Sequence, residues 1–179
     1  DTMGDHGLMT KAVKHYDKGI RYPLIVYAAD TTPPALERLT CTLDFFPTFC
    51  EWAGIDQQEL PPLEGKSFAD ICNQEEEKES WQEVSVSTGP RRTVITDDGW
   101  RLSLFLDENE GQMFNLEEDP DEQNNLYNNP KYSKKRQELL EQLNRVTTRP
   151  HNIPHYRNMP LINGDKYYSD CGLRKEGIP

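Results

Sequence analysis

Cysteine and histidine, the softer metal ligands and the common nucleophile and base, number four each in this chain. Four cysteines stand at Cys41, Cys50, Cys72 and Cys171, and no pair has the C-x-x-C spacing of a zinc knuckle or a dithiol redox site. Cys50 lies among Phe46, Phe49 and Trp52, which reads as a buried thiol. His151 and His155 sit in a proline-rich stretch without a third ligand nearby, which disfavours a metal site there. Asp119-Pro120-Asp121-Glu122 could attract a cation, yet with Asn125 close behind it reads as a turn. The densest set is Gly4-Asp5-His6-Gly7-Leu8-Met9-Thr10-Lys11, which brings a carboxylate, an imidazole and an ammonium together. These are the residue types used for proton transfer and for holding charged oxygens.

The chain that must position them has 179 residues, which suits one domain, or one domain with an appendage. It is polar. Hydrophobic residues make up 35%, charged residues 28%, and the mean hydropathy is −0.86. Ordinary globular domains are about 45–50% apolar. The net charge of −11 repels phosphate backbones and argues against nucleic-acid binding. Lys131, Lys134, Lys135 and Arg136 form a local basic cluster that reads as a solvated helix face. The longest apolar run, residues 23–29, is far short of a membrane span, and the first residues lack the basic start and apolar stretch of a signal peptide. The cysteines do not fix a compartment.

Residues 20–29 read as a strand buried on both faces, stopped by Asp30 to Pro34. Residues 42–54 read as a short helix capped by Thr42 or Asp44. Pro47 belongs in its first turn, Gly54 ends it, and Phe45, Phe46, Phe49 and Trp52 or Ala53 give the helical spacing of a face whose aromatics are expected in a core. A loop covers 57–74 and a charge run 75–79. Four short β segments follow at 82–88, 91–97, 100–106 and 112–116, with Asp98-Gly99 as a hairpin turn. One sheet face is expected to carry Val84, Val86, Val94, Leu102 and Leu104 or their alternates. Asn129-Pro130 opens a helix to about Val146, with Tyr132, Leu139, Leu140, Leu143 and Val146 as the stripe that lies on the sheet. The basic first turn opposes the helix dipole, at a cost of a few tenths of a kcal/mol per charge, and local physics supplies no reason for it. From Thr147 onward, Pro150, Pro154, Pro160 and Gly164 deny regular structure.

Several of these segments carry a resemblance. Gly4 to Lys11, then Tyr16-Asp17-Lys18-Gly19-Ile20-Arg21-Tyr22-Pro23-Leu24-Ile25, resemble the sulfatase family of the alkaline-phosphatase-like superfamily. Its members commonly read S-D-H-G-[DE]-x-x-G-x-H-G-L-x-x-K, then Y-[DE]-x-x-x-R-x-P-L-I. Leu43-Asp44-Phe45-Phe46-Pro47-Thr48 with Ala53-Gly54-Ile55 resembles the family's D-x-x-P-T…A-G-I helix, and Leu63-Glu64-Gly65-Lys66-Ser67 its D-G-x-S loop. Met113 to Glu122 with Asn125-Leu126 resembles its L-Y-D-L-x-x-D-P-x-E-x-x-N-L signature. All lie in the family's order.

The resemblance implies an α/β fold: the C-terminal end of an alkaline-phosphatase-like α/β core over residues 1–74, then a small four-stranded antiparallel sheet with a packed helix over 75–146, then an extended proline-rich tail over 147–179. It implies that Lys11 binds an oxygen of the substrate's sulfate group. His6 then either lines the pocket and donates a hydrogen bond or proton to the leaving group, or pins the loop through a backbone carbonyl. His15 reads as structural or surface rather than facing the substrate entrance. Arg21 is expected to pair with a buried carboxylate, and Lys18 stands where relatives are often acidic. In the favoured register Asp1 follows S-D-H-G, so the metal-binding pair lies before Asp1. Asp5 and His6 are that pair only in a disfavoured register that brings Lys11 too early. No C/S-x-P-x-R segment, the source of formylglycine, occurs in the chain.

The implied activity is that of the C-terminal part of a sulfuric ester hydrolase. Formylglycine and a divalent metal, typically Ca2+, would come from the N-terminal part. The partners implied are a sulfate ester and the remainder of the sulfatase core. Two alternatives are a phosphodiester or phosphonate monoester hydrolase of the same superfamily, and a non-catalytic fragment or partner-binding subunit.

Overall fold

Between residues 83 and 115, β-branched and aromatic residues alternate with polar ones, and they build the sheet they imply. In a computed structural model, which describes residues 2–9, 14–27, 38–56, 60–72, 80–106 and 110–148, the strands are β1 (Glu83–Thr88), β2 (Arg91–Thr96), β3 (Trp100–Phe105) and β4 (Glu110–Asn115). They form one antiparallel sheet in the order β1-β2-β3-β4. Val94 stands opposite Leu102, and Leu102 opposite Met113. These three side chains are buried under Leu139 and Leu143 of helix α4 (Ser133–Thr148). Full burial of an aliphatic side chain contributes about 1.5–3 kcal/mol, so this layer holds sheet and helix together.

The start of α4 explains its basic first turn. Asn129 caps a 3-10 turn at Pro130–Tyr132 by accepting from the Lys131 N–H at 3.1 Å. Lys135 reaches Asp98 in the β2–β3 turn at 2.8 Å and Glu138 at 3.0 Å, and Arg136 donates to the Tyr127 carbonyl. Two of the four clustered cations thus tie the helix to neighbouring loops, which offsets the unfavourable dipole. The far edge of the sheet is closed locally. The Asn125 side chain accepts from the Met113 N–H at 3.0 Å and donates to the Gly111 carbonyl at 3.1 Å, bonding the free side of β4.

The helix expected at 42–54 is present as a 3-10 turn, Thr42–Asp44, running into α2 (Phe45–Trp52). Pro47 is its third residue, where its missing N–H leaves no helical bond unmade. Gly54, at φ +70°, closes it in a Schellman pattern: its N–H bonds Glu51 O, and the Ile55 N–H bonds Cys50 O, both at 3.0 Å. Cys50 is buried as read. A short helix α3 (Ala69–Cys72) lies within the expected loop.

Three expectations need correction. Residues 21–27 form no regular element, among the described residues no strand pairs with them, and Ile25 and Tyr27 are 89% and 91% exposed. A strand exists by virtue of its ladder, and the neighbours this one requires are not among the described residues. The aromatic face of α2 is likewise not a core here. Phe46 and Phe49 are 54% and 59% exposed, and the helix instead buries Pro47, Thr48 and Cys50. Helical spacing identifies an apolar face without saying what covers it. Finally, Val84 and Val86 do not share the face of Val94, Leu102 and Leu104. Val86 stands opposite Thr93, and Val84 opposite Ile95, so both lie on the other face.

The charge run 75–79 and residues 149–179, with His151, His155 and Cys171, lie outside the described residues. Among the described residues no helix is long and apolar enough to cross a membrane.

Candidate functional site

The loop that opens the chain folds on itself. The Gly4 N–H bonds Leu8 O, and the Leu8 N–H bonds Asp5 O, both at 2.9 Å, around a 3-10 turn at Asp5–Gly7. The Thr2 hydroxyl also donates to Leu8 O. His6 sits at φ +50°, in the left-handed region that a non-glycine residue occupies only when its surroundings hold it. Its ring stacks on Tyr16 with centroids 3.6 Å apart and planes within 3°. Its Nε2 lies 3.9 Å from the Asp5 carboxylate, and its side chain is 11% exposed. Lys18 bridges Asp5 at 3.8 Å and Asp121 at 2.8 Å. Lys11 lies outside the described residues.

The segment after the loop docks on the second face of the sheet, where Thr93, Arg101 and Ser103 are buried beside Phe105 and Phe114. His15 is 2% exposed, and its Nδ1 is 2.8 Å from Thr93 Oγ1, which in turn is 2.7 Å from Ser103 Oγ. Arg101, the second residue of β3, donates to Ser103 Oγ at 2.7 Å and to the His15 carbonyl. Its guanidinium lies 4.8 Å from the Phe114 ring centre and 5.6 Å from that of Tyr16. Both Arg101 and its ion-pair partner Glu122 are fully enclosed. Glu122 Oε2 accepts from the Asp17 N–H at 2.7 Å, at the start of helix α1 (Asp17–Ile20). Burial pushes the Glu122 carboxyl up and the Arg101 charge pulls it back. Burial, then Arg101, then Arg91 and Arg92 push the His15 pKa down to about 4, so the ring is neutral at pH 7. The structural reading of His15 holds.

Arg21 departs from expectation. Its partner is Asp17, at 3.0 Å, but its own side chain is 70% exposed, so the pair clips α1 at the surface. The Asp119–Glu122 segment is a turn, as expected: Asp119 accepts from the Gln123 and Asn124 N–H groups at 3.0 and 2.8 Å. The buried Arg101–Glu122 pair escaped the sequence reading. Its signal was a charged residue and two hydroxyls, Thr93 and Ser103, at inward positions of the alternation.

Asp44 organises a second polar centre. Its carboxylate accepts from the N–H groups of Cys41 and Lys66, each at 2.8 Å, and from the Trp81 indole at 3.1 Å. Burial, then the Asp44 charge, pushes the nearby Cys41 thiol up to about 11, which leaves it a poor nucleophile. Among the described residues no group of three or more His, Cys, Asp or Glu could hold a metal ion. The described residues thus hold a loop bearing an imidazole.

Residues 4–149 match the family described as N-sulphoglucosamine sulphohydrolase, C-terminal. A Bacteroides thetaiotaomicron Delta 4,5-hexuronate-2-O-sulfatase is 31% identical over 148 residues, covering 75% of this chain and 30% of its own. An N-acetylglucosamine-6-O-sulfatase of the same organism is 25% identical over 182 residues, covering 92% of this chain and 31% of its own. The crystal structure of a putative sulfatase from that organism superposes with a TM-score of 0.75 at 29% identity, over 83% of this chain and 34% of its own. The chain spans about a third of the length of the curated relatives it matches. The order of the motifs, the sheet with its packed helix and the match over residues 4–149 agree: the chain belongs to the sulfatase family, in its C-terminal portion.

Proposed function

We infer that this chain is the C-terminal part of a sulfuric ester hydrolase that adds water across the O–S bond of a sulfate ester, releasing an alcohol, sulfate and a proton. The observation that carries the reading is the match of residues 4–149 to the C-terminal region of a sulfohydrolase. Residues 1–74 complete the α/β core, and residues 75–146 form the sheet and helix that brace it. The exposed aromatic face of α2 and the exposed stretch 22–27 support this, because both are surfaces that a larger core would cover. Sulfated carbohydrates are the favoured substrates, since two relatives act on sulfated sugars by name.

Lys11 is the group this chain supplies to the sulfate. Sulfate oxygens carry charge in the ground state, and charge moves to the bridging oxygen as the ester breaks. A fixed ammonium in a water-poor site stabilises that shift. His6, stacked flat on Tyr16 with its Nε2 3.9 Å from the Asp5 carboxylate, supplies the hydrogen bond or proton to the leaving oxygen.

The family also implies formylglycine and calcium. Calcium takes six to eight oxygen ligands. The described residues assemble no such set, and the pair Asp5 and His6 offers one carboxylate and an imidazole nitrogen, which is not an oxygen ligand. They do not fit the ion, and both groups are assigned to the N-terminal part.

The test is Lys11→Ala in the whole protein, assayed by sulfate release from a panel of sulfated sugars. A fall in kcat of about 10²–10³-fold is expected for loss of one charge-stabilising donor. Undiminished turnover by the variant, or no sulfate release by the unaltered protein, would sink the reading.

A further inference from the structure

We propose that the buried Arg101–Glu122 ion pair is a positioning device for the loop that carries His6. This rests on reading His6 as part of a sulfuric ester hydrolase site. The two partners hold one short stretch of main chain from both sides. Arg101 donates to the carbonyl of His15, and Glu122 accepts from the N–H of Asp17 at 2.7 Å. Tyr16, the residue between, lies over the guanidinium and carries the His6 ring on its face. The line of contact thus runs from Arg101 of β3 through three consecutive residues to the imidazole. His6 needs such support, because its left-handed backbone is not self-sustaining.

Stability alone does not account for the pair. Enclosing two charges carries a large desolvation penalty, and apolar residues of similar volume usually stabilise a core as well or better. What an apolar pair cannot do is grip a carbonyl and an N–H in fixed directions. Arg101 also spreads its contacts over Ser103, Phe114 and Tyr16, which fixes the guanidinium plane.

The experiment uses the whole protein with Arg101→Met, Glu122→Met, the double Arg101→Met/Glu122→Met, and Arg101→Lys. Each single Met variant leaves a buried charge without its partner and should be less stable than the double. Positioning predicts that the double variant regains stability over the singles while kcat stays about 10–100-fold below the unaltered enzyme, with KM within about threefold, as expected for misplaced reacting groups. Arg101→Lys keeps the charge but not the fork, so it should fold well and still lose turnover. Amide hydrogen exchange gives a readout independent of activity: residues 2–8 and 14–18 should exchange faster in the double variant while β2 and β3 are unchanged. Turnover that recovers in step with stability, or unaltered exchange in residues 2–8 and 14–18, overturns the proposal. Faster exchange there in a protein that releases no sulfate supports the anchoring and overturns the sulfatase reading instead.

Discussion

Acidification should weaken this fold through His15, and the size of the effect follows from where the ring sits. An exposed histidine titrates near 6.5. In the folded protein the ring is enclosed by the second face of the sheet, and burial together with Arg101, Arg91 and Arg92 lowers its pKa to about 4. Between these values the unfolded chain binds a proton that the folded chain refuses. Stability is therefore fully present above about pH 6.5 and is lost as the pH falls toward 4. At about 1.4 kcal/mol per pH unit the complete loss is about 3 kcal/mol, of which about 2 kcal/mol falls between pH 7 and pH 5. Two other groups do not mimic this. Asp98 is held below its usual value by Lys135 and Thr96 against the opposing effect of burial, so its contribution is lost only under more acidic conditions. Glu122 is pushed up, chiefly by burial, and so acts with the opposite sign.

The assay is urea unfolding of the whole protein followed by tryptophan fluorescence at pH 7 and pH 5, for the unaltered protein and His15→Asn. Asparagine keeps an amide group where Nδ1 meets Thr93 and removes the titration. Any loss of packing is the same at both pH values and cancels. The unaltered protein should lose about 2 kcal/mol more than the variant between the two conditions. Equal losses would refute the reasoning, as would an NMR titration that places His15 above about pH 6.

Two further outcomes follow from the centre around Asp44. Asp44→Ala strands three donors, two backbone N–H groups and the Trp81 indole, in a buried site, so the unfolding free energy should drop by about 3–5 kcal/mol; a loss below about 1 kcal/mol would show that water replaces the carboxylate freely. Gly65→Ala places a Cβ 2.0 Å from the Leu43 carbonyl oxygen and 2.4 Å from its carbon, atoms of a backbone that cannot rotate away. The variant should lose at least about 2 kcal/mol, or fail to accumulate in folded form, whereas an unchanged urea midpoint would mean the loop has room that the structure denies it.

Local chemistry was legible where local forces decide. The four strands, the Asp98-Gly99 turn, the Asn129 cap, the Gly54 stop and the Leu139–Leu143 stripe are each set by residues within a few positions of one another, and each was read within a few residues of its place. What the sequence hid depends on distant partners. Val84 and Val86 look like mates of Val94, but the Glu83–Thr96 register puts them on the opposite face. The α2 aromatics repeat with helical spacing, yet Phe46 and Phe49 point into solvent because Thr48 and Cys50 take the inner side. Arg101 looks like any charged residue on an alternating strand. Only the fold shows that it faces inward, since the group that neutralises it is Glu122 in a turn beyond the next strand.

That last contact gives the motif order a physical cause. The sequence offers Tyr16-Asp17-Lys18 near the start and Asp119-Pro120-Asp121-Glu122 after β4 as separate resemblances. In the structure they are two halves of one joint. Glu122 takes the Asp17 N–H, Asp121 takes the Lys18 ammonium at 2.8 Å, and Lys18 also reaches Asp5 in the loop below His6. Asp119 serves the joint indirectly by bonding the N–H groups of Gln123 and Asn124, which fixes the turn that presents Asp121 and Glu122. Exposed pairs such as Lys18–Asp121 contribute little by themselves. The enclosed pair supplies the direction, and the surface pairs keep the loop from swinging about it. A substitution in either segment should therefore disturb the other, although about a hundred residues separate them in the chain.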